Sequence, residues 1–377
     1  MAQQRTLVNK FFSLNWSLVG LMTIMLCIGF AMLYSAAEGN MDPWASKQMI
    51  RFAVLFPVMI AIALIDIRIW LKYSYVIYGL ALVMLFLVLV GPLGVKAMGA
   101  TRWIRLGPIN VQPSEIMKIC LMFALARYFH TTSMVNVHRV VHLILPILMV
   151  AAPVCLILLQ PDLGTALILV MAATAVFFVA GVKWWKFVAV GCVGLASLPL
   201  IWHFMHDYQK QRVLSFLNPE SDKLGAGYNI LQSKIAIGSG GFSGKGFLEG
   251  TQSQLSFLPE KQTDFIFTML AEEFGFMGGA SVIALYGIII AFGIIISVNS
   301  ANHFGRLLAM GITSVFSLHV FVNIAMVMGM IPVVGAPLPL LSYGGTIMMS
   351  MMIAFGLLLN VHLYGDQKLE QDRAVVR

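Results

Sequence analysis

Asp264 sits where a charged, turn-forming loop runs straight into an apolar helix that also carries Glu272 and Glu273, within the stretch Phe257 to Gly275. Carboxylates at membrane depth are costly, and they mark paired or functional positions. Two other acids share this kind of placement: Pro113 opens a helix with Glu115 in its first turn, and Pro161 opens another with Asp162 in its first turn. An acid there complements the helix dipole. Taken singly, each reads as structural, since Glu115 faces Lys118 at i+3 and Thr263 or Asp264 can cap its helix. Three carboxylates at one interfacial depth read instead as a functional cluster. Glu272 and Glu273 follow eight and nine residues after Asp264, about 12–13 Å further along a helix. Burial there demands a partner, with Lys118 and Arg51 as candidates by depth, or a raised pKa.

The elements that must hold these residues are membrane spans. The chain is 59% hydrophobic and 11% charged, against about 25% charged in soluble proteins. Windows of about 20 residues give ten apolar segments, at 15–37, 47–66, 72–91, 113–131, 140–160, 163–181, 183–206, 264–297, 305–330 and 339–363. The blocks are rich in Leu, Ile, Val, Met and Ala and lack the period-2 pattern of a membrane barrel. The expectation is an all-α, polytopic fold in one membrane domain spanning 1–377, with the first helix a retained signal anchor. Cys27, Cys120, Cys155 and Cys192 fall inside spans without metal-binding spacing and read as small packing residues.

Lys and Arg set the orientation. With the N-terminus inside, the inner segments hold most of them, from Arg5 and Lys10 through Arg127, Arg139, Lys183 and Lys186 to Lys368 and Arg373, while the short outer loops hold Lys47, Arg51, Lys96, Arg102 and Arg105. Both termini are therefore cytoplasmic. The net charge of +8 suits anionic inner-leaflet lipid and gives no reason to invoke nucleic acid. Every unusual segment then falls on the outer face: Gly99 to Lys118, Gln160 to Thr165, the long loop 207–263 and Pro332 to Thr346. A site opening there has no nucleotides to draw on, so its substrate must bring its own leaving group.

The long loop between spans seven and eight, about 56 residues, far exceeds the roughly 12–15 at which an unstructured connection becomes unusual. Within it, Gly227 to Gly241 reads as a short amphipathic surface helix with Tyr228, Leu231 and Ile235 on its apolar face. Gly238 to Gln254 reads as a flexible glycine-rich run able to approach a phosphate or sugar, with Lys245 supplying charge. His319 and Asn323, four apart in the ninth span, read as interhelical hydrogen-bonders, and Arg102, Trp103 and Arg105 as interface anchors.

QPSEIMK, QPDLGT, the run from His206 to Gly275 and GAPLPLLSYGG resemble, in order and over nearly the whole chain, the signature segments of the SEDS family (shape, elongation, division and sporulation). NPESDKLGAGYNILQSKIAIGSGG with FLEGTQSQLSFLPE favours its elongation branch over its division branch. One departure is that Lys261 and Gln262 stand where an Arg-His pair often precedes Thr-Asp, so no histidine at this spot is an essential base. The resemblance implies a peptidoglycan glycosyltransferase that polymerises lipid II on the outer face of the bacterial cytoplasmic membrane. It makes Asp264 the essential carboxylate, as general base or as ligand of a hard divalent cation such as Mg or Mn, with Glu115 and Asp162 sharing either duty. Lys118, Arg51, Arg102, Lys245, Gln254 and Ser342 are the candidates for substrate contact. It also implies as partners a class B penicillin-binding protein transpeptidase and other elongation-complex proteins. A flippase for lipid-linked precursors and a non-catalytic scaffold for the transpeptidase are the competing readings; the first normally shows paired broken helices and internal repeats, which are not evident here. The orientation predicts that single cysteines introduced near Lys245 react with an impermeant thiol reagent from outside intact cells, whereas those near Lys368 do not.

Overall fold

The computed structural model describes residues 6–90, 94–97, 100–106, 109–205, 207–218, 226–254, 260–367 and 369. Short α1 (Leu7–Phe12) precedes α2 (Trp16–Ala36), α3 (Ala45–Leu64) and α4 (Ile67–Val90). Then come α5 (Pro113–Thr131), the single turn α6 (Met134–Val137), α7 (Val141–Leu159) and α8 (Leu163–Val179). The seventh span is α9 (Trp184–Ala196) and α10 (Leu198–Phe204). The long loop carries α11 (Asp207–Leu217), α12 (Ala226–Ser239) and α13 (Thr251–Gln254), and α14 (Ile266–Asn299), α15 (His303–Val327) and α16 (Gly345–Tyr364) complete the chain. Seven of these, α2, α3, α4, α7, α14, α15 and α16, are long and apolar enough to cross a membrane, and α8 and α9 are shorter apolar helices. The fold is all-α and polytopic, with a helix at each of the ten expected spans.

Burial sorts the bundle. α5 holds Glu115 and Lys118, which cannot face lipid, and it is almost wholly buried, packed against α4, α8, α15 and α16. α15 and α16 are enclosed in the same way. The outer helices α3, α4 and α7 instead turn Val54, Val58, Leu80, Val83, Ile144 and Leu148 outward, as a lipid-facing surface requires. Cys120 alone among the thiols is buried; Cys27, Cys155 and Cys192 are exposed, so the packing account holds for Cys120 only.

Several elements depart from the sequence expectation. The outer loop between the third and fourth spans folds into a three-stranded antiparallel sheet, β1 (Gly94–Ala97), β2 (Ala100–Leu106) and β3 (Ile109–Val111), in that order. Its strands are too short to signal themselves by periodicity, and cross-strand pairing of buried Ile104 with buried Val111 holds them. The seventh span breaks after Ala196 because Pro199 has no N–H for residue 195. Helix α12 is not a surface helix on the expected face. Ile230, Ser233 and Ala236 are buried against α14 and α15 while Ile235 is exposed, and the Ser233 hydroxyl bonds Thr268 at 2.7 Å and the Val327 carbonyl at 2.7 Å.

The largest departure is in α14. Its 34 residues would extend about 51 Å at 1.5 Å per residue, well beyond a hydrocarbon core of about 30 Å. The helix is interrupted at Gly275, whose φ of 64° and ψ of −160° are not helical. A break frees carbonyls before it and N–H groups after it, and in an apolar phase these must be satisfied by protein. The glycine-rich loop does so. Lys245 N and Gly246 N donate to the carbonyls of Glu272 and Glu273 at 3.1 and 3.0 Å, and Phe276 N and Met277 N donate to Gly241 O and Phe242 O at 2.9 and 3.2 Å. Gly240 and Gly244 thus serve close approach to α14. Gly244 lies at φ 83°, and a Cβ there would overlap the Glu273 carbonyl. Gly244→Ala should therefore destabilise the protein by about 1–3 kcal/mol, read as a lowered unfolding temperature in detergent. Gly287→Ala, with nothing within 4 Å of the new carbon, should leave that temperature unchanged or raised.

Candidate active site

Asp264 immediately precedes α14, and its neighbours are fixed by the backbone. Asn323 Nδ2 on α15 donates to the Asp264 carbonyl at 2.8 Å and to the Ala336 carbonyl at 2.7 Å. Ser342 Oγ donates to the Thr263 carbonyl at 2.5 Å and accepts from Leu338 N at 2.8 Å. Tyr343 N donates to the Gln262 carbonyl at 2.8 Å. The proline-rich connection between α15 and α16 is thereby fastened to the turn that presents Asp264. The carboxylate faces Gly335, where a Cβ would stand 3.5 Å from Oδ2 at a φ of 71°.

The N-cap of α14 is Phe265, and no side chain caps it. Neither Thr263 nor Asp264 takes the capping role open to them in sequence, so the Asp264 carboxylate is not spent on the helix end. Burial pushes its pKa up to about 6, Glu260 adds to the rise, and the Arg212 guanidinium opposes it. The result is a carboxylate that titrates near neutrality, the condition for a general base.

The other two acids have local partners. Asp162 is the N-cap of α8: Oδ1 accepts from Thr165 N at 3.3 Å, and Oδ2 accepts from Thr165 Oγ1 at 3.0 Å and Gln112 Nε2 at 3.1 Å. Glu115 is ion-paired to Lys118 at 2.7 Å, both buried, with Ser350 Oγ at 3.5 Å from its second oxygen. Lys118 Nζ also contacts His319 Nε2. The three acids stand at one end of the bundle but in separate hydrogen-bonded groups; among the described residues no three His, Cys, Asp or Glu come together as a metal cluster. His319 and Asn323 act as the interhelical connectors expected of them, reaching Lys118 and the Asp264 backbone from one face of α15.

The substrate-contact candidates separate likewise. Arg51 stays within the site region, its guanidinium donating to Tyr343 Oη and Gln48 Oε1 at 3.1 Å each and lying over the Tyr343 ring. Arg102 donates to the carbonyls of Gln160, at 2.9 Å, and Pro161, fixing the sheet to the start of α8. Lys245 is not free for a phosphate, being ion-paired to Glu272 at 2.7 Å. The Ser342 hydroxyl is buried and engaged by backbone. The Gln254 side chain lies outside the described residues. Glu272 and Glu273 find Lys245 and Ser35 as partners, not Lys118 or Arg51, because the long loop folds back onto the helix break. Lys261 comes within 3.9 Å of Glu38. Arg212 and Gln112 were missed as site residues; the repeated Gln-Pro preceding both Glu115 and Asp162 was the available signal for Gln112, whereas nothing local marks Arg212.

Known proteins agree with this architecture. The family described as cell cycle protein, covering FtsW, RodA and SpoVE, matches residues 10–367. The peptidoglycan glycosyltransferase MrdB of Escherichia coli K12 is 42% identical over 365 residues, covering 93% of this chain and 95% of that protein. A chain solved in work on the structural coordination of polymerization and crosslinking by a peptidoglycan synthase complex superposes with a TM-score of 0.82 at 32% identity, covering 94% of this chain and 99% of that one. The crystal structure of the Thermus thermophilus rod shape determining protein RodA superposes at 0.71 with 29% identity, covering 94% and 98%. With matched residues extending over almost its full length, the chain belongs to the SEDS family of FtsW, RodA and SpoVE proteins.

Proposed function

We propose that this chain is a peptidoglycan glycosyltransferase that polymerises lipid II into glycan strands at the outer face of the bacterial cytoplasmic membrane during cell elongation, its whole length acting as one membrane domain. The observation that carries the catalytic reading is the uncapped Asp264 carboxylate, raised to about 6 at the loop-lined mouth of α14. Identity to the E. coli glycosyltransferase supports the reaction class.

In this reading the 4-hydroxyl oxygen of the acceptor sugar attacks the anomeric carbon of the donor from the face opposite its pyrophosphate, forming the new glycosidic bond with inversion. Asp264 takes the hydroxyl proton as the bond forms, and the carbon–oxygen bond to the polyprenyl pyrophosphate breaks with its electron pair leaving on that phosphate. The base must stand within about 3 Å of the hydroxyl. In this reading Arg51, which lies over Tyr343, and Arg212, whose charge bears on Asp264, meet the departing charge. Glu115 and Asp162 act by positioning, through Lys118 and the start of α8.

A hard cation taking one or two carboxylates and otherwise water or phosphate oxygens is the alternative role for Asp264, with the Glu115 and Asp162 carboxylates engaged in their own groups. Such an ion would supply neutralisation of the pyrophosphate. The partner in this reading is a class B penicillin-binding protein transpeptidase, supported by the similarity to a chain of a synthase complex that joins polymerisation to crosslinking.

Purified protein with a partner transpeptidase should convert labelled lipid II to polymer, and Asp264→Asn should abolish that while leaving the protein folded and partner-bound; polymer from the mutant sinks the base assignment. Because protonation at low pH removes the base, kcat/KM should rise tenfold per pH unit below about pH 6 and level off above it. Activity that survives exhaustive chelation removes the metal role and leaves the base.

A further inference from the structure

The break in α14 isolates a short segment, from Ile266 to Phe274, whose outer end leads back to Asp264. That end is fastened by Asn323, Ser342 and Tyr343. The inner end is fastened by two adjacent carboxylates. Glu272 Oε1 accepts from Lys245 Nζ at 2.7 Å, Gln252 N at 2.9 Å and Thr251 Oγ1 at 3.3 Å. Glu273 Oε1 accepts from Ser35 Oγ on α2. Glu272 is fully buried while Lys245 is a quarter exposed, so the loop brings its charge to the helix from the outer side.

This segment is buried from Ile266 to Glu273. Beside it lies a groove of about 570 Å³ lined by Ile237, Phe267, Ala271, Gly275, Gly279 and Met328. The groove opens to the surface beside exposed Phe276 and Met328 and lies against two residues of the segment itself, Phe267 and Ala271. With a glycine break at its inner end, the segment takes its orientation from the directional bonds made there as well as from packing. The Glu272 carboxylate supplies three such bonds, one to a cation, the stronger class of hydrogen bond.

We infer that Glu272 is a positioning residue for Asp264: by clamping the glycine-rich loop onto the break in α14, it fixes the segment whose outer end presents the catalytic carboxylate. Glu273 adds the second anchor, to α2. The inference rests on the glycosyltransferase reading for its kinetic consequence and on the geometry alone for its structural one.

The test compares full-length protein, with its partner transpeptidase and lipid II, as parent, Glu272→Gln, Lys245→Met, the double variant and Lys245→Arg. Each of the first two should lower kcat about tenfold with KM within about twofold. The double variant should lose no more than the worse single one, because the two residues act as a unit. Lys245→Arg should recover more than half of the kcat that Lys245→Met loses. The pH midpoint of kcat/KM should move in Glu272→Gln, since the surroundings of Asp264 change. Independently of activity, spin labels on Phe242→Cys and Phe276→Cys, a stacked exposed pair 6.0 Å apart across the break, should show one narrow distance in otherwise cysteine-free parent protein and a broadened one in Glu272→Gln. An unmoved pH midpoint with kcat falling only as folded protein is lost overturns the positioning role, as does an unchanged label distance. If the parent makes no polymer at all, the glycosyltransferase reading fails, and the label distance still decides the clamp.

Discussion

A backbone inside a bilayer has no water to bond with, so an interrupted helix survives there only where other parts of the chain replace its missing hydrogen bonds. The interruption at Gly275 is the place where this constraint shapes the protein. Four main-chain bonds from residues 241–246 fill it, which explains why this loop is rich in glycine: side chains at Gly240 or Gly244 would occupy the carbonyls of Ala271 and Glu273. The long outer loop is consequently part of the helix bundle, and the helix that leads away from Asp264 is short, with a defined end.

The same rule, applied to charge, sorts the acids. A carboxylate in an apolar setting is tolerable when paired, and Glu115, Asp162, Glu272 and Glu273 all have hydrogen-bonding or ionic partners within the bundle. Asp264 stands apart. Its backbone is pinned on both sides while its carboxylate is left to titrate near neutrality, with Glu260 and Arg212 as the charges that set it. Rigid support for a chemically available group is what preorganised catalysis requires.

Three connections carry that support across the outer end of the bundle. The sheet is tied to the start of α8 by Arg102, the start of α5 to the start of α16 by Gln112 and Thr346, and the α15–α16 connection to the turn before α14 by Ser342 and Tyr343. Each joins segments distant in sequence, and together they make a rim of fixed loops around Asp264. Arg51 contributes to the same rim by lying over Tyr343.

Hydropathy by itself determined the ten spans, their all-α character and the grouping of the unusual loops at one end, because the cost of exposing polar groups to lipid acts on each segment independently of the others. The Pro-acid motifs likewise marked Glu115 and Asp162, since helix starts are local events. Partners were a different matter. Glu272 with Lys245, Glu273 with Ser35 and Lys118 with His319 join residues dozens to hundreds of positions apart, and no local pattern encodes such meetings. The buried face of α12, the sheet between the third and fourth spans and the break at Gly275 were also settled by tertiary packing, where a short element takes its form from what it docks against. The sequence alone therefore placed a carboxylate at the mouth of an apolar helix; only the folded structure decided that Asp264 is the one left uncapped, because the neighbouring polar groups bond to its backbone.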